Sequence, residues 1–321
     1  MGHNGRVSDP IDEFSFLPEQ AAEAGIDRPI PHGERVTLTL PDGRALSALR
    51  FAPADAPDAA PAVTFLHGAG LNAHTWDTTV LALGLPALAI DLPGHGDSSW
   101  RDDAAYVARV LAPDVAAAMD AWTAAPQLLV GQSLGGLVAA AVAASHPELV
   151  RELVVIDITP GVDAAAGPTQ IRDFFSGPSD WAARDELADR AIAFGLGGGT
   201  RRKAERGVFF NSRIRPDGRV EWKHHFAHLA NTMAASPAST APSQDALAAV
   251  LGETGWEDLA AVTAPTTLIR GDRGYVTDAD AEEFARRVPT ASVVVVPSGH
   301  NVQEELPQPL GARLRDLATT A

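Results

Sequence analysis

The chain has 321 residues, 45% hydrophobic and 21% charged, enough to bury a substantial core in one large α/β domain with an insertion or in two ordinary domains. Its 25 Lys and Arg stand against 41 Asp and Glu, and the resulting net charge of −16 opposes phosphate backbones and anionic bilayers, so neither nucleic acid nor a membrane is an expected partner. The absence of cysteine excludes disulfides, thiolate metal sites and a cysteine nucleophile. Residues 1 to 34 mix Gly, Pro and charge without sustained periodicity and read as an N-terminal arm that lies on the surface or is partly disordered. The opening MGHNGRVSDPIDEF has no basic stretch followed by an apolar run, and nowhere do about 18 apolar residues run together, so a cytoplasmic protein is expected. Acidity favours solubility and leaves the oligomeric state open.

Arg35 to Leu40 alternates polar with apolar, Pro41-Asp42-Gly43 is a turn, and Ala45 to Phe51 is again extended, which predicts a hairpin at a sheet edge. Short apolar runs then alternate with helical stretches. The runs are Ala62–Leu66, Ala87–Ile90, Gln127–Val130, Leu153–Ile156, Thr267–Ile269 and Val293–Val296, suited to parallel strands covered on both faces. Helices are predicted over roughly Ala104–Trp122, Leu134–Ser145, Asp278–Arg287 and Pro309–Leu317. This alternation is that of a doubly wound sheet, in which reactive groups belong at the carboxyl ends of the strands. Between about Pro160 and Gly255 the regularity breaks into Gly-rich (Gly195–Gly199), Ser/Pro-rich (Ala234–Ser243) and aromatic stretches, predicting an inserted cap. No repeat with a period of roughly 20 to 50 residues is present.

The sharpest chemical signal is Gly131-Gln132-Ser133-Leu134-Gly135, a G-x-S-x-G motif between the apolar run Leu128–Val130 and an Ala/Val-rich helical segment. Such a motif occurs by chance in Gly-rich chains as a plain turn, but strand–turn–helix is the context in which it presents a serine hydroxyl above a sheet. With it go His67-Gly68-Ala69-Gly70, Asp91-Leu-Pro-Gly-His-Gly-Asp-Ser98 and Ser298-Gly299-His300, each placed after a predicted strand. In these features the sequence resembles the α/β-hydrolase superfamily, from about residue 35 to the end apart from the cap. The resemblance implies a mostly parallel eight-stranded sheet, a core of residues 35–160 and 256–321, and a mainly helical cap over 161–255. It also implies an oxyanion hole made by the backbone N–H groups of Ala69 and Leu134.

A serine hydroxyl needs a base within hydrogen-bond reach, and His300 follows a strand and a glycine where the family keeps its base. His67 and His95 lie in loops where the family more often uses histidine to orient backbone. The acid departs from the commonest pattern. Where G-x-x-D is expected, the chain reads Gly271-Asp272-Arg273-Gly274, with glycine at the acid position. Some relatives, among them haloalkane dehalogenases and zearalenone-type lactonases, take the acid from the end of the strand after the nucleophile helix, and Asp157 stands there. Asp157 is therefore favoured over Asp272, with Asp278 or no acid remaining open. Whichever acts, a carboxylate accepting from the imidazole fixes its tautomer and stabilises the imidazolium.

In the cap, Val220 to Leu229 is aromatic and His-rich, with His224 and His228 at i, i+4 on a presumed helical face. Without the intervening Glu of H-E-x-x-H and without a third ligand, packing is preferred to metal binding, and no metal or other cofactor is expected. Trp181, Phe209, Phe210, Trp222 and Phe226, with Phe174, are expected to pack the cap and partly line a substrate pocket. Serine at position 133 disfavours epoxide hydrolase and haloalkane dehalogenase chemistry, which uses Asp at the elbow. It fits carboxylesterases, lactonases, carbon–carbon bond hydrolases, acyltransferases and cofactor-free perhydrolases. A small, uncharged, partly apolar ester or lactone is the leading substrate class because the cap is aromatic rather than basic. A non-catalytic small-ligand receptor on the same fold is the alternative of a different kind.

Overall fold

The structure, a computed structural model, describes residues 11–162, 178, 180–194, 199–228 and 255–320. Phe174, Gly195 to Gly198 and the Ser/Pro-rich stretch Ala234–Ser243 lie outside the described residues.

Eight strands form one sheet: β1 (His32–Thr39), β2 (Ala45–Ala52), β3 (Val63–Leu66), β4 (Ala87–Asp91), β5 (Gln127–Gln132), β6 (Val150–Ile156), β10 (Thr266–Gly271) and β11 (Ser292–Val296). Their spatial order is β1-β2-β4-β3-β5-β6-β10-β11. The β1/β2 hairpin and the β2/β4 pair are antiparallel, and all other pairs are parallel. Every residue of β3, β4 and β5 is buried. Their side chains alternate between two apolar layers: Leu88, Ile90 and Leu129 join the layer under the helices α3 (Ala108–Trp122) and α4 (Leu134–Ser145), whereas Ala87, Ala89, Leu128 and Val130 join the layer under α2 (Asp77–Leu83) and the C-terminal helix. A strand covered on both faces must be apolar on both, which is why these runs lack polar alternation. Helix α4 is apolar all round because it is buried from Leu134 to Ala143.

Helix α3 begins at Ala108, four positions later than its periodicity suggests; Ala104 has φ +51°, outside the right-handed helical region. The arm also differs from expectation. From Glu13 it coils into a 3₁₀ turn and then helix α1 (Leu17–Glu23), whose Leu17 and Ala21 are buried in the layer with α2. A seven-residue helix has too few turns to show periodicity, and its stability comes from the docked face.

Within the inserted region lie α5 (Arg184–Ala193), α6 (Arg201–Asn211) and a three-stranded antiparallel sheet of β7 (Asp180–Trp181), β8 (Ser212–Ile214) and β9 (Val220–Trp222). They share a small apolar cluster of Trp181, Leu187, Ala188, Val208, Val220 and Trp222. The region between β6 and β10 thus carries a sheet beside its helices, which strands of two or three residues do not announce by alternation. Among the described residues the remaining helices are α7 (Gly255–Ala261), α8 (Asp278–Arg287), α9 (Val302–Glu305) and α10 (Pro307–Thr319). Among the described residues no helix is long and apolar enough to cross a membrane.

Candidate active site

Parallel register brings the site together. Gln132, the last residue of β5, pairs with Ile156, the last of β6, and Ile156 pairs with Ile269 of β10, so Ser133 and Asp157 leave adjacent strands at the same level. Ser133 N–H donates to Ile156 O and Asp157 N–H to Ile269 O, which extends the ladder to both residues. Ser133 then turns into α4 with φ +53° and ψ −125°, a conformation rarely adopted by non-glycine residues and typical of a nucleophile elbow. The two elbow glycines are steric requirements: a Cβ on Gly131 would lie 2.1 Å from Gly135 O, and one on Gly135 would lie 2.3 Å from Leu66 O. Leu134 opens the helix, where the first N–H groups lack intrahelical acceptors. Ala69 follows Gly68 in the β3 loop, and a Cβ on Gly68 would stand 3.2 Å from that of Ser133.

Asp157 is fully buried and has φ +47°, a region that aspartate tolerates better than most residues. Its Oδ1 accepts from Gly271 N–H at 3.0 Å, and its Oδ2 accepts from Tyr275 N–H at 2.7 Å and lies 2.8 Å from His300 Nδ1. Three donors thus converge on a carboxylate that is shut off from water, as a buried polar group requires. The departure at Gly274 follows from the same geometry. A Cβ on Gly274 would sit 2.2 Å from Asp157 Oδ1, so a side chain at position 274 and the carboxylate of Asp157 compete for one space. Asp272 instead points outward, with 46% of its side chain exposed and Arg273 Nη1 at 3.1 Å, and the exposed Asp278 pairs with Arg270.

His300 has 17% of its side chain exposed. Gln132 Nε2 donates to His300 O at 3.2 Å, so the residue before the serine ties the elbow to the histidine loop, and the Tyr275 ring lies flat on the imidazole at 3.7 Å between centroids and 13° between planes. Neither Gln132 nor Tyr275 stands out in the sequence, since Gln132 occupies a free position of the motif and Tyr275 follows an irregular loop. No hydrogen bond joins Ser133 Oγ to the imidazole among the described residues; such bonds are commonly long before substrate binds.

The other loop histidines have structural tasks. His67 Nε2 accepts from Leu92 N–H at 3.0 Å, so Nδ1 carries the proton and donates to Gly68 O at 2.8 Å, clamping the β3 loop to the β4 loop. Burial lowers its pKa to about 4. His95 is lowered to about 3, by burial first and by His67 next, so both rings are neutral. Asp91 accepts from Ala73 N–H and Asp97 N–H and pairs with Arg35, tying the segments after β3 and β4 and strand β1 to one carboxylate.

Of the five aromatic candidates, Trp181 of β7 and Trp222 of β9 meet edge to face, and Phe209 and Phe210 pack against Phe16 of the arm. Phe226 packs against His95 and Tyr106 of the loop after β4. His224 is fully buried in a bend after β9 rather than on a helix, so it shares no helical face with His228, and burial holds its pKa well below the ordinary value. Among the described residues no three His, Asp or Glu side chains gather as a metal site.

The elbow at the carboxyl edge of a doubly wound sheet, with a carboxylate-anchored histidine from the last strand, defines a class. A model of the alpha/beta hydrolase family matches residues 65–313, and the chain belongs to that family. It is 36% identical over 318 residues to the esterase Rv0045c of Mycobacterium tuberculosis, covering 97% of each chain. A solved structure of that esterase superimposes with a TM-score of 0.77 over 97% of this chain and 99% of the other, at 34% identity. The chain is also 27% identical over 264 residues to the mouse (Mus musculus) sn-1-specific diacylglycerol lipase ABHD11, covering 77% of this chain and 78% of the relative.

Proposed function

We propose that this hydrolase cleaves a small, uncharged, partly apolar carboxylic ester or lactone in the cytoplasm through an acyl-enzyme on Ser133, without a cofactor. The observation that carries this reading is the pairing of a positive-φ serine elbow with a histidine whose Nδ1 is anchored by a buried carboxylate while its Nε2 has no partner among the described residues. The full-length similarity to an esterase supports the ester bond as target.

In this mechanism His300 Nε2 takes the Ser133 hydroxyl proton as Oγ attacks the carbonyl carbon. Asp157 holds Nδ1–H and stabilises the imidazolium. Charge moves to the carbonyl oxygen, where the N–H groups of Ala69 and Leu134 meet it; each such donor is typically worth roughly 3–4 kcal/mol in the transition state. Collapse expels the alcohol, protonated by His300, and water repeats the sequence to release the acid. Phe226 beside the β4 loop, with Trp181, Phe209, Phe210 and Trp222 in the cap body, shapes the cover that selects the substrate.

Short p-nitrophenyl esters test the reading. A burst of nitrophenolate, labelling of Ser133 by an organophosphonate, and a loss on the order of 10⁶ in kcat for Ser133→Ala are expected, with the Ser133→Ala/His300→Ala double variant no slower than either single. A wild-type protein that is inert yet binds a small ligand tightly would favour the receptor, and wild-type-like turnover by Ser133→Ala would overturn the mechanism.

A further inference from the structure

We propose that Tyr275 is a positioning residue for the base: its ring sets the plane of the His300 imidazole and faces the positive charge that develops there. The inference rests on the triad reading above and deepens it. One hydrogen bond from Nδ1 to Asp157 Oδ2, at 2.8 Å, fixes one corner of the imidazole but leaves the plane able to tilt about that contact, which would swing Nε2 away from the serine. The Tyr275 ring lies parallel to the imidazole, with centroids 3.7 Å apart and planes 13° apart, and blocks the tilt on one face.

The same residue holds the other half of the pair. Tyr275 N–H donates at 2.7 Å to the oxygen of Asp157 that faces Nδ1, and the residue before it, Gly274, lacks the Cβ that would displace this carboxylate. The loop itself is tied to the strand carrying His300, through Asp272 N–H to Val296 O and Arg273 N–H to Ser298 O. A ring in this place presents its electron-rich face to the imidazolium formed on attack and attracts it more strongly than the neutral imidazole, the condition for raising kcat rather than tightening substrate binding. The Tyr275 hydroxyl makes no hydrogen bond among the described residues, so the ring is the active part.

Tyr275→Phe, Tyr275→Leu and Tyr275→Met all keep the main-chain N–H that holds Asp157, and Met fills a similar space without a π face. Assayed with a p-nitrophenyl ester beside wild type and Ser133→Ala, the Phe variant should stay within twofold of wild type. The Leu and Met variants should lose about tenfold in kcat, with KM within twofold, thermal midpoints close to wild type and a parallel fall in the rate of phosphonate labelling. The proposal is overturned if Leu and Met both keep wild-type kcat, if their loss lies in KM, or if Phe is as slow as Leu. Should Leu unfold, Met and Phe decide by themselves. Turnover by Ser133→Ala would remove the triad reading and this proposal with it, whereas an inert Ser133→Ala beside a fully active Tyr275→Met removes this proposal alone.

Discussion

His300 and His74 each direct Nδ1 at a buried carboxylate, Asp157 at 2.8 Å and Asp77 at 3.0 Å, and each lies flat against an aromatic ring whose centroid is 3.7 Å away, Tyr275 in one case and Phe210 in the other. They differ at the second nitrogen. His74 Nε2 faces Glu13 of the arm at 3.1 Å, so both nitrogens must carry protons to satisfy both acceptors. Burial pulls the His74 pKa down, but Asp77 and Glu13 outweigh it and hold it at about 9. Burial likewise raises Glu13, while His74 and Arg35 more than reverse it, to about 2. The result is a fixed charge that fastens the arm to the core, with Phe210 of α6 stacked on the same ring. At His300 the second nitrogen has no partner among the described residues, leaving it available for a proton. A histidine, an acid and a covering ring therefore do not by themselves make a base; the neighbour of the second nitrogen decides.

The two histidines should diverge most when their carboxylates are removed. Asp157→Asn should cost on the order of 10⁴ in kcat, because it permits the wrong imidazole tautomer, whereas Asp272→Asn should stay within about twofold of wild type. Asp77→Asn should leave kcat within a few-fold and lower stability by about 1–3 kcal/mol, since it strips a buried charge of its partner. Steady-state rates beside thermal midpoints decide. A crippled Asp272→Asn with a normal Asp157→Asn would make Asp157 a loop anchor.

A smaller effect sharpens the steric half of the argument. Gly274→Ala forces the new methyl or the Asp157 carboxylate to move, so about 10² in kcat and about 1–3 kcal/mol of stability should be lost together. Unchanged kinetics in that variant would mean that the carboxylate can shift without consequence for His300.

The mildest test is pH. His74 has its pKa raised from 6.5 to about 9, so its contribution is complete below about 6.5 and is lost as pH rises through 9. Glu13 is lowered from 4.5 to about 2, so its contribution is present above 4.5 and is lost as pH falls through 2. Hydrogen exchange over residues 12–23, corrected for its intrinsic pH dependence, should show protection falling by on the order of 1–2 kcal/mol between pH 6.5 and 9.5. In His74→Gln that alkaline loss should vanish; if it persists, another group fastens the arm.

Sequence reading reached local features. The bounds of Leu134–Ser145 and Asp278–Arg287 were legible because caps and apolar content mark them within a few residues, and Ser133 because its motif is contiguous. His300 was legible as the histidine after the last strand. The arm was not. Its helix is held by Glu19 and Glu23 against Arg202 and Arg206 of α6, over 180 positions distant, and by Phe16 on Phe209 and Phe210. His74 offered a hint in His74-x-x-Asp77, yet its meaning depends on Glu13, 61 residues upstream.

The doubly wound sheet, the serine elbow and the histidine after the last strand are each written in residues next to one another, in strand-length apolar runs or in a turn that only glycine permits. Tertiary structure decided which carboxylate meets that histidine, because Asp157, Gly274, Tyr275 and His300 are brought together by the register of β6, β10 and β11. It also decided that the arm is part of the folded body and that the ring over His300 comes from an irregular loop. These outcomes depend on excluded volume and charge pairing between distant segments, which no local pattern encodes.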